Sequence, residues 1–195
     1  MKVNLKKLVG PWDGGYALDK HMLSSAFLGN DEFGHARFDN IRTDAGEAVY
    51  QLKYKSDFNQ SAILAAAVHE HIIPQFPKIG LIVPAPASTT RAKQPVDAVA
   101  AELAKLIGVK VFANIIVKAP STTGKKLKDL ATKQEKEAEL EGRFSINDEI
   151  TNAGQWNALV LDDLFHSGAT MEAATKALRT YKKISGVYVA ALTWK

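Results

Sequence analysis

Two adjacent carboxylates, Asp162 and Asp163, follow the apolar run from Ala158 to Leu161. Carboxylates at the end of a buried strand lose their solvation unless a ligand or a cation compensates them. The 2′ and 3′ hydroxyl groups of a ribose could donate hydrogen bonds to them, and magnesium is another partner that suits carboxylate oxygens. The pair therefore predicts a sugar site, with magnesium as a second possibility.

A turn centred on glycine follows the two carboxylates and leads into a predicted helix. Gly168 lets backbone N–H groups converge, Ser167 and Thr170 provide hydroxyl groups, and the helix N-terminus adds partial positive charge. Together the acids and the turn predict a pocket for ribose 5-phosphate, formed by Asp162, Asp163, His166, Ser167, Gly168, Ala169 and Thr170. Within it, His166 could contact phosphate, transfer a proton or only orient the turn. The alternative is that the acids merely end a strand and cap the next helix.

A second candidate for anion binding is the turn that follows the apolar run 79–83. Two prolines stiffen this turn, so that backbone N–H groups could face an anion. The residues that would present these groups are Ala85, Ala87 and Ser88. The side chains of Arg91 and Lys93 follow within reach of the same anion. The alternative is a rigid connection between a strand and a helix.

The apolar pattern alternates between strand and helix along most of the chain. The predicted strands lie at 79–83, 109–117, 158–161 and 187–192, and the predicted helices at 45–54, 59–73, 95–107 and 170–181. Such alternation with short connections predicts an α/β fold in which helices flank a parallel sheet. Ligands of such sheets bind beyond the carboxyl ends of the strands, which is where both candidate turns fall.

The segment 1–57 is less regular and scatters glycines among aromatic residues. We interpret it as a small N-terminal hood, and 58–195 as the core of what is one compact domain overall. The aromatic residues of the hood could stack on a base-like ligand or form a satellite core, and they are Trp12, Tyr16, Phe27, Phe33 and Phe38. The polar segment 119–148 could contribute to the same hood.

Composition narrows the function classes. The absence of cysteine excludes disulfides, zinc–thiolate sites and a cysteine nucleophile. The net charge of +4 suits an anionic ligand, although it does not distinguish a phosphate compound from nucleic acid. Because no apolar stretch is long enough to span a bilayer, we expect a cytoplasmic protein without a membrane partner.

The segment 158–170 resembles the signature of type I phosphoribosyltransferases: a strand, an acidic pair, three variable residues and a hydroxyl–Gly–small–hydroxyl turn. The stretch 83–88 is similar to the Val-Pro-x-Pro-x-Ser of the competence protein F (ComF) family, a branch of these transferases, and 51–55 and 141–144 resemble further segments of it. Phe165 and His166 depart from the transferase signature, which generally has smaller residues there. From the ComF pattern the chain departs at Lys136 and Glu139, where the family has Arg and Asn, and at 91–95, where it often has Arg-Gly-Phe-Asn-Gln. The chain also has no cysteines for the zinc ribbon of many ComF proteins.

The resemblance implies a type I phosphoribosyltransferase fold and an enzyme that uses phosphoribosyl pyrophosphate. A nitrogenous acceptor would displace pyrophosphate at C1′, with Asp162 and Asp163 as the catalytic, ribose-holding residues. The turn from Ser167 to Thr170 would hold the 5-phosphate, and the pyrophosphate would lie against Ala85, Ala87, Ser88 and Arg91. The implied cofactor is magnesium, bound through the substrate and by Asp162 or Asp163.

Two other functions stay open. The ComF resemblance brings an association with DNA uptake, so the chain could bind single-stranded DNA or a protein partner without catalysis. It could also sense phosphoribosyl pyrophosphate without turning it over. The sequence does not identify the acceptor, a nucleobase or an amine, and its scattered aromatic residues would permit a homodimer.

Overall fold

The computed structural model describes residues 1–87, 89, 91–121, 123–124 and 127–195. Within these residues the strands are β1 (Lys6–Lys7), β2 (Gly14–Lys20), β3 (Met22–Asn30), β4 (Ala36–Arg42), β5 (Leu81–Pro84), β6 (Lys110–Val111), β7 (Ile116–Lys118), β8 (Phe144–Ile146), β9 (Trp156–Phe165) and β10 (Ile184–Trp194). The α-helices of the same residues are α1 (Asp44–Tyr54), α2 (Gln60–Ala67), α3 (Pro95–Ile107), α4 (Lys133–Leu140) and α5 (Ala169–Arg179). None of the helices within these residues is long and apolar enough to cross a membrane.

Six strands form one sheet in the order β1-β2-β10-β9-β5-β6. The pairs from β2 to β6 are parallel, whereas β1 is antiparallel to β2. Helix α3 connects β5 to β6, and α5 connects β9 to β10, as parallel neighbours require. The predicted α/β fold with a mostly parallel, helix-flanked sheet is confirmed.

Both faces of the sheet are buried because helices cover each of them. Leu159 and Leu161 of β9 pack with α1, α2 and α3 in one cluster of buried residues. Ala158 and Val160, which alternate with them, pack with α5 in a second cluster on the opposite face. This two-sided burial explains why the central strand is continuously apolar in sequence.

The predicted elements of the core are found close to their expected bounds. Helix α3 begins with Pro95 and ends at Gly108, which has φ of 70°. Helix α2 continues from Val68 to Gln75 as a π turn and a 3₁₀ turn, because Pro74 interrupts regular helix. The segment 109–117 holds two short strands, β6 and the start of β7, in place of one.

The N-terminal segment is joined more closely to the core than its irregular sequence indicates. Strand β2 pairs with β10 inside the main sheet, and α1 contributes buried residues to the core. Trp12 is likewise buried, whereas Phe27, Phe33 and Phe38 are exposed on or beside the β3–β4 hairpin. The division at residue 57 stays a prediction, although sheet and core both extend across it.

Candidate functional site

The two carboxylates at the end of β9 point to opposite faces of the sheet, because side chains alternate along a strand. Asp163 lies on the side of α1, where its Oδ2 is 2.6 Å from Nζ of Lys53. Asp162 lies on the side of α5 and borders a cavity that Asp163 does not line. The predicted pair is therefore divided into a carboxylate that faces the cavity and one that binds a helix.

A cavity of about 200 Å³ lies beside the carboxyl end of β9 and the start of α5. Its lining residues are Leu127, Lys136, Asp162, Leu164, Phe165, His166, Ser167, Gly168, Ala169, Thr170 and Met171. The structure thus brings Asp162 and every residue of the predicted phosphate turn to one cavity. Lys136 of helix α4 also lines the cavity, although it does not belong to the predicted phosphate turn.

The turn before α5 needs glycine at its centre. Gly168 has φ of 82°, and a Cβ atom there would lie 3.1 Å from two ring carbons of Phe165. The first N–H groups of a helix have no intrahelical acceptor, and Gly168 supplies no side chain to cap them. These N–H groups and the helix dipole make the start of α5 suitable for an anion.

Phe165 holds this turn against the core. Its ring packs edge-on against Trp12, with 6.2 Å between the ring centroids. Trp12 is itself buried, and its Nε1–H donates to the carbonyl oxygen of Leu8 at 3.0 Å. Phe165, which departs from the transferase signature, therefore packs the turn before α5 against Trp12.

Asp162 is a carboxylate that the fold holds in an unfavourable environment. Burial and the neighbouring charge of Asp163 raise its pKa to about 7, although the Asp163 N–H, Lys53 and Lys118 act in the opposite direction. The Asp163 N–H donates to Asp162 Oδ1 at 2.8 Å. A hydroxyl donor or a cation in the cavity would stabilise the ionised carboxylate further.

Helix α4 places a second charged group in the cavity wall. Lys136 is only 8% exposed, and its Nζ lies 3.5 Å from Nδ1 of His166. No carboxylate of the described residues forms an ion pair with Lys136. Burial, Lys136 and Lys195 all lower the pKa of His166. The ammonium group of Lys136 lies beside the imidazole of His166 and the start of α5, an arrangement in which an anion would be stabilised.

Two polar contacts fix α4 beside the cavity. Lys133 Nζ lies 2.7 Å from Glu172 Oε1 and joins α4 to α5. Glu139 is buried and forms an ion pair of 2.6 Å with Arg143, while the Ser121 hydroxyl donates to it at 2.6 Å. The Lys133–Glu172 pair therefore attaches α4 to α5, whereas Glu139 and Arg143 attach the end of α4 to the segment that follows β7.

The predicted pyrophosphate turn after β5 is less suitable for an anion than the turn before α5. The N–H of Ala85 donates to the carbonyl oxygen of Leu161 at 2.8 Å, so the sheet uses this donor and it is not available to an anion. Ala87 is exposed, and Ser88 lies outside the described residues. Arg91 donates to the carbonyl oxygen of Lys53 at 2.7 Å, at the end of α1. None of these described residues lines the cavity of Asp162.

Sequence reasoning did not assign Lys53 and His21 to the site. Lys53 lies in the segment 51–55 that resembles ComF proteins, so the resemblance was the signal that could have identified it. His21 follows β2, and its Nδ1 lies 3.1 Å from the Thr193 hydroxyl, which donates to the Asp163 carbonyl oxygen. Burial, Arg42 and Lys53 lower the pKa of His21. No sequence pattern connects His21 with Asp163, since only the β2–β10–β9 pairing brings them together.

No protein-family model matches the chain, and neither does any curated protein. Solved structures do match. An adenine phosphoribosyl transferase from Trypanosoma brucei, in complex with AMP, pyrophosphate and ribose-5-phosphate, is 14% identical, with 98% of this chain and 74% of that chain covered at a TM-score of 0.51. The chain has the fold of a type I phosphoribosyltransferase. At this identity the similarity shows the fold alone.

Two further matches belong to the same class of transferase. The adenine phosphoribosyltransferase of Thermoanaerobacter pseudethanolicus is 18% identical, with coverage of 89% of this chain and 96% of that chain and a TM-score of 0.44. A hypoxanthine phosphoribosyltransferase of Staphylococcus aureus is 12% identical, with coverage of 71% and 65% and a TM-score of 0.42. Their TM-scores are too low to support an argument about this chain.

Proposed function

We propose that the chain binds phosphoribosyl pyrophosphate and transfers its phosphoribosyl group to a nitrogenous acceptor, with release of pyrophosphate. The observation that carries the proposal is that Asp162 and the turn from His166 to Thr170 face one cavity. A carboxylate for the ribose hydroxyls and a helix N-terminus for the 5-phosphate are the two groups that this substrate needs. The type I phosphoribosyltransferase fold supports the same reading.

In the proposed reaction the bond between C1′ and the pyrophosphate oxygen breaks, and a bond from C1′ to the acceptor nitrogen forms. The acceptor nitrogen loses one proton to solvent or to a base. Positive charge develops on the ribose ring in the transition state, and a carboxylate fixed beside the ring stabilises it. Asp162 has this role, while Asp163 keeps Lys53 and α1 in place at the end of β9.

We include Lys136 among the ligands of the 5-phosphate. Lys136 as a whole is buried, and it lines the cavity together with the start of α5. His166 Nδ1, 3.5 Å from Nζ of Lys136, can accept from this ammonium group when the imidazole is neutral. His166 then serves to orient Lys136, and its other ring nitrogen carries a proton that can be donated to an anion.

Magnesium fits the donor set only as an ion that is shared with the substrate. The described residues contain no group of three His, Cys, Asp or Glu side chains that could hold a metal ion. Asp162, whose ionised form is disfavoured by burial, would gain from a nearby cation. Asp162 or Asp163 would hold magnesium together with the substrate, and the ion would supply positive charge that neutralises the leaving group.

The ComF resemblance adds a finer proposal: that the chain is a divergent relative of that family without its zinc ribbon. Sensing of phosphoribosyl pyrophosphate without turnover, and binding of single-stranded DNA, are the two other outcomes that this relationship raises. The acceptor, whether a nucleobase or an amine, is to be found by screening once binding has been demonstrated.

The test is calorimetric titration with phosphoribosyl pyrophosphate plus magnesium, with ribose 5-phosphate and pyrophosphate as separate ligands. We expect magnesium-dependent binding that Asp162→Asn weakens by at least about tenfold. Asp97→Asn is the matched control, because Asp97 is also a partly buried carboxylate with a pKa raised by burial, but lies on α3. If the protein binds none of the three ligands, the proposal is wrong.

Turnover is then measured as pyrophosphate release with a panel of nucleobases and amines. Release with one acceptor supports the transferase, whereas tight binding without release supports a sensor. Binding of single-stranded DNA that weakens steeply with salt, in a protein that binds no phosphoribosyl pyrophosphate, supports the DNA-uptake alternative.

A further inference from the structure

A second cavity lies at the edge of the main sheet opposite to Asp162. It has a volume of about 320 Å³ and is bordered by the residues that begin β5, β6 and β9, which are Leu81, Lys110 and Trp156. Because these three strands are parallel, their first residues lie together at the amino edge of the sheet, away from the start of α5. The volume is typical of pockets that bind small molecules. The cavity is therefore a second candidate binding site.

The segment 147–155, which precedes β9, forms one wall of this cavity and has a defined position. Ile150 of this segment is buried and lines the cavity. The Tyr181 hydroxyl group donates to Asp148, and the Lys183 ammonium group donates to the carbonyl oxygen of Ile150. Both donors belong to the connection between α5 and β10. The wall is therefore fixed to the core, and the cavity is a preformed part of the fold.

Two glycines leave room for the indole ring of Trp156 beside the cavity. A Cβ atom at Gly80 would lie 2.7 Å from Cδ1 of this ring, and one at Gly154 would lie 3.2 Å from Cζ2. The first distance is too short for a Cβ atom, so the ring is in close contact with the Gly80 backbone. Phe112 also lines the cavity. The cavity thus offers two aromatic side chains against which a flat ring can pack.

The polar side chains that line the cavity are mainly donors, and they are Lys110, Asn152 and Trp156. None of the three side chains forms a hydrogen bond or an ion pair with the described residues. Lys110 and the indole N–H can only donate, whereas the Asn152 amide can donate and accept. No carboxylate is among the described residues that line the cavity. Its polar groups therefore favour a ligand with negatively charged oxygen acceptors.

Two acidic residues are near the cavity in sequence, but both have other partners. Asp148 accepts from the Tyr181 hydroxyl group, and Glu149 Oε1 accepts from the Asn147 amide at 3.3 Å. Neither acid lines the cavity. The positive charge of Lys110 is therefore not offset by a carboxylate within the wall.

We propose that the cavity at the amino edge of the sheet binds an aromatic compound that carries an anionic group. The ring packs against Trp156 and Phe112, and the carboxylate or phosphate oxygens accept from Lys110 and Asn152. An aromatic carboxylic acid and a nucleotide share this chemistry. The proposal does not depend on phosphoribosyl transfer, because the described residues that line this cavity and those that line the Asp162 cavity do not overlap.

The test follows the indole N–H signals of the full chain by NMR while 2-naphthoate or AMP is added. The chain has three tryptophans, and Trp156→Phe, which keeps an aromatic ring, identifies the Trp156 signal by its loss. We expect 2-naphthoate, AMP or both to shift this signal at up to about 5 mM ligand. A response to only one ligand would support the proposal and identify the ligand class as aromatic acids or nucleotides. No shift with either ligand would overturn the proposal.

Competition separates this site from the proposed phosphoribosyl site. Saturating ribose 5-phosphate should leave the shift of the Trp156 signal unchanged, because the two cavities lie at opposite edges of the sheet. A shift that ribose 5-phosphate abolishes would place the ligand in the Asp162 cavity and would overturn the proposal. A chain that binds no ribose 5-phosphate but still shows the shift would contradict the proposed function and leave this proposal supported.

Uncharged ligands and a lysine variant test the requirement for an anion. 2-Naphthylmethanol and adenosine keep the rings of the two ligands, and each should bind at least about threefold more weakly than its charged counterpart in calorimetry. Lys110→Gln should weaken binding of the charged ligands about threefold to fivefold and leave the uncharged ligands unaffected. Lys105→Gln is the matched control, because Lys105 is an exposed lysine of α3 that does not line the cavity. Equal effects of the two lysine variants, or equal binding of charged and uncharged ligands, would refute the assignment.

Discussion

Replacing Asp162 by Asn should stabilise the protein at neutral and alkaline pH while it removes the group that we propose for ribose binding. Burial first, and the charge of Asp163 second, raise the pKa of Asp162 from 3.8 to about 7. Asn has nearly the same shape, and its Oδ1 can accept the Asp163 N–H that Asp162 accepts at 2.8 Å. The substitution therefore removes a disfavoured charge and leaves the local hydrogen bond in place.

The sign of the effect follows from proton binding in the two states. Between about pH 4 and about pH 7 the native state retains a proton on Asp162 that the unfolded state has released, so the free energy of unfolding falls as the pH rises. A pKa raised from 3.8 to about 7 corresponds to at most ~4 kcal/mol at about 1.4 kcal/mol per unit. Because the carboxylate is only partly buried and borders a cavity, we expect about half of this, ~2 kcal/mol.

The measurement is urea unfolding of both proteins, followed by circular dichroism at about pH 4 and about pH 8 without ligand or metal. We expect Asp162→Asn and the wild-type protein to be alike at the lower pH, and the variant to be the more stable by ~2 kcal/mol at the higher pH. A variant that is destabilised equally at both values would refute the argument that the native fold disfavours this charge.

Asp13 provides a control with the opposite sign. Burial opposes the shift, but the Val187 N–H and the Arg179 side chain lower the pKa of Asp13. Its ionised form therefore contributes stability above its unfolded pKa, and this contribution is lost as the pH falls through the native pKa. Asp13→Asn should accordingly reduce the stability at about pH 8 and at about pH 4 alike, and the difference from the wild-type protein should shrink only below about pH 4, whereas Asp162→Asn should raise the stability at about pH 8.

Three further variants test the site. Gly168→Ala should lower the free energy of unfolding by ~1–3 kcal/mol and weaken ribose 5-phosphate binding, because Ala disfavours φ of 82° and its Cβ would meet the Phe165 ring. Its control is Gly108→Ala, at φ of 70° with open space around it, which should leave binding unchanged. Lys136→Gln should weaken ribose 5-phosphate binding about tenfold in calorimetry, whereas Lys105→Gln, on the exposed surface of α3, should not. Lys53→Gln should cost ~1–3 kcal/mol in urea unfolding because it leaves the Asp163 carboxylate without its cation, and a loss no larger than that of Lys105→Gln would contradict this role.

The fold and the glycine turn before α5 could be predicted from sequence because their signals are local. The apolar run from Ala158 to Leu161, the glycine at position 168 and the amphipathic pattern of α5 lie within about one helical turn of the groups that they position. Their arrangement follows from strand–turn–helix geometry, which needs no knowledge of distant residues. The order of β9, α5 and β10 is therefore confirmed as predicted.

The remaining parts of the site depend on contacts between distant segments. Lys136 reaches the cavity because Lys133 joins α4 to α5, across 39 positions of sequence. His21 meets the Asp163 strand because β2 inserts beside β10, across 172 positions from Thr193. The irregular composition of 1–57 concealed β2, since a strand that contains glycines lacks a clear apolar alternation. The pyrophosphate turn stays a prediction, but the Ala85 N–H already donates to Leu161 of the neighbouring strand, and the local sequence does not show whether such an N–H is free.

The alternation of side chains along β9 places the two carboxylates of the acidic pair in different environments. A sequence motif presents Asp162 and Asp163 as one unit, and a double substitution would test them as one unit. In the structure, Asp162 is a partly buried carboxyl group that forms no ion pair with the described residues, whereas Asp163 holds Lys53 at 2.6 Å. Asp162→Asn should weaken ligand binding and raise stability near pH 8, while Asp163→Asn should lower stability because Lys53 loses its partner. Only the single variants can therefore separate the proposed substrate binding by Asp162 from the attachment of β9 to α1 through Asp163.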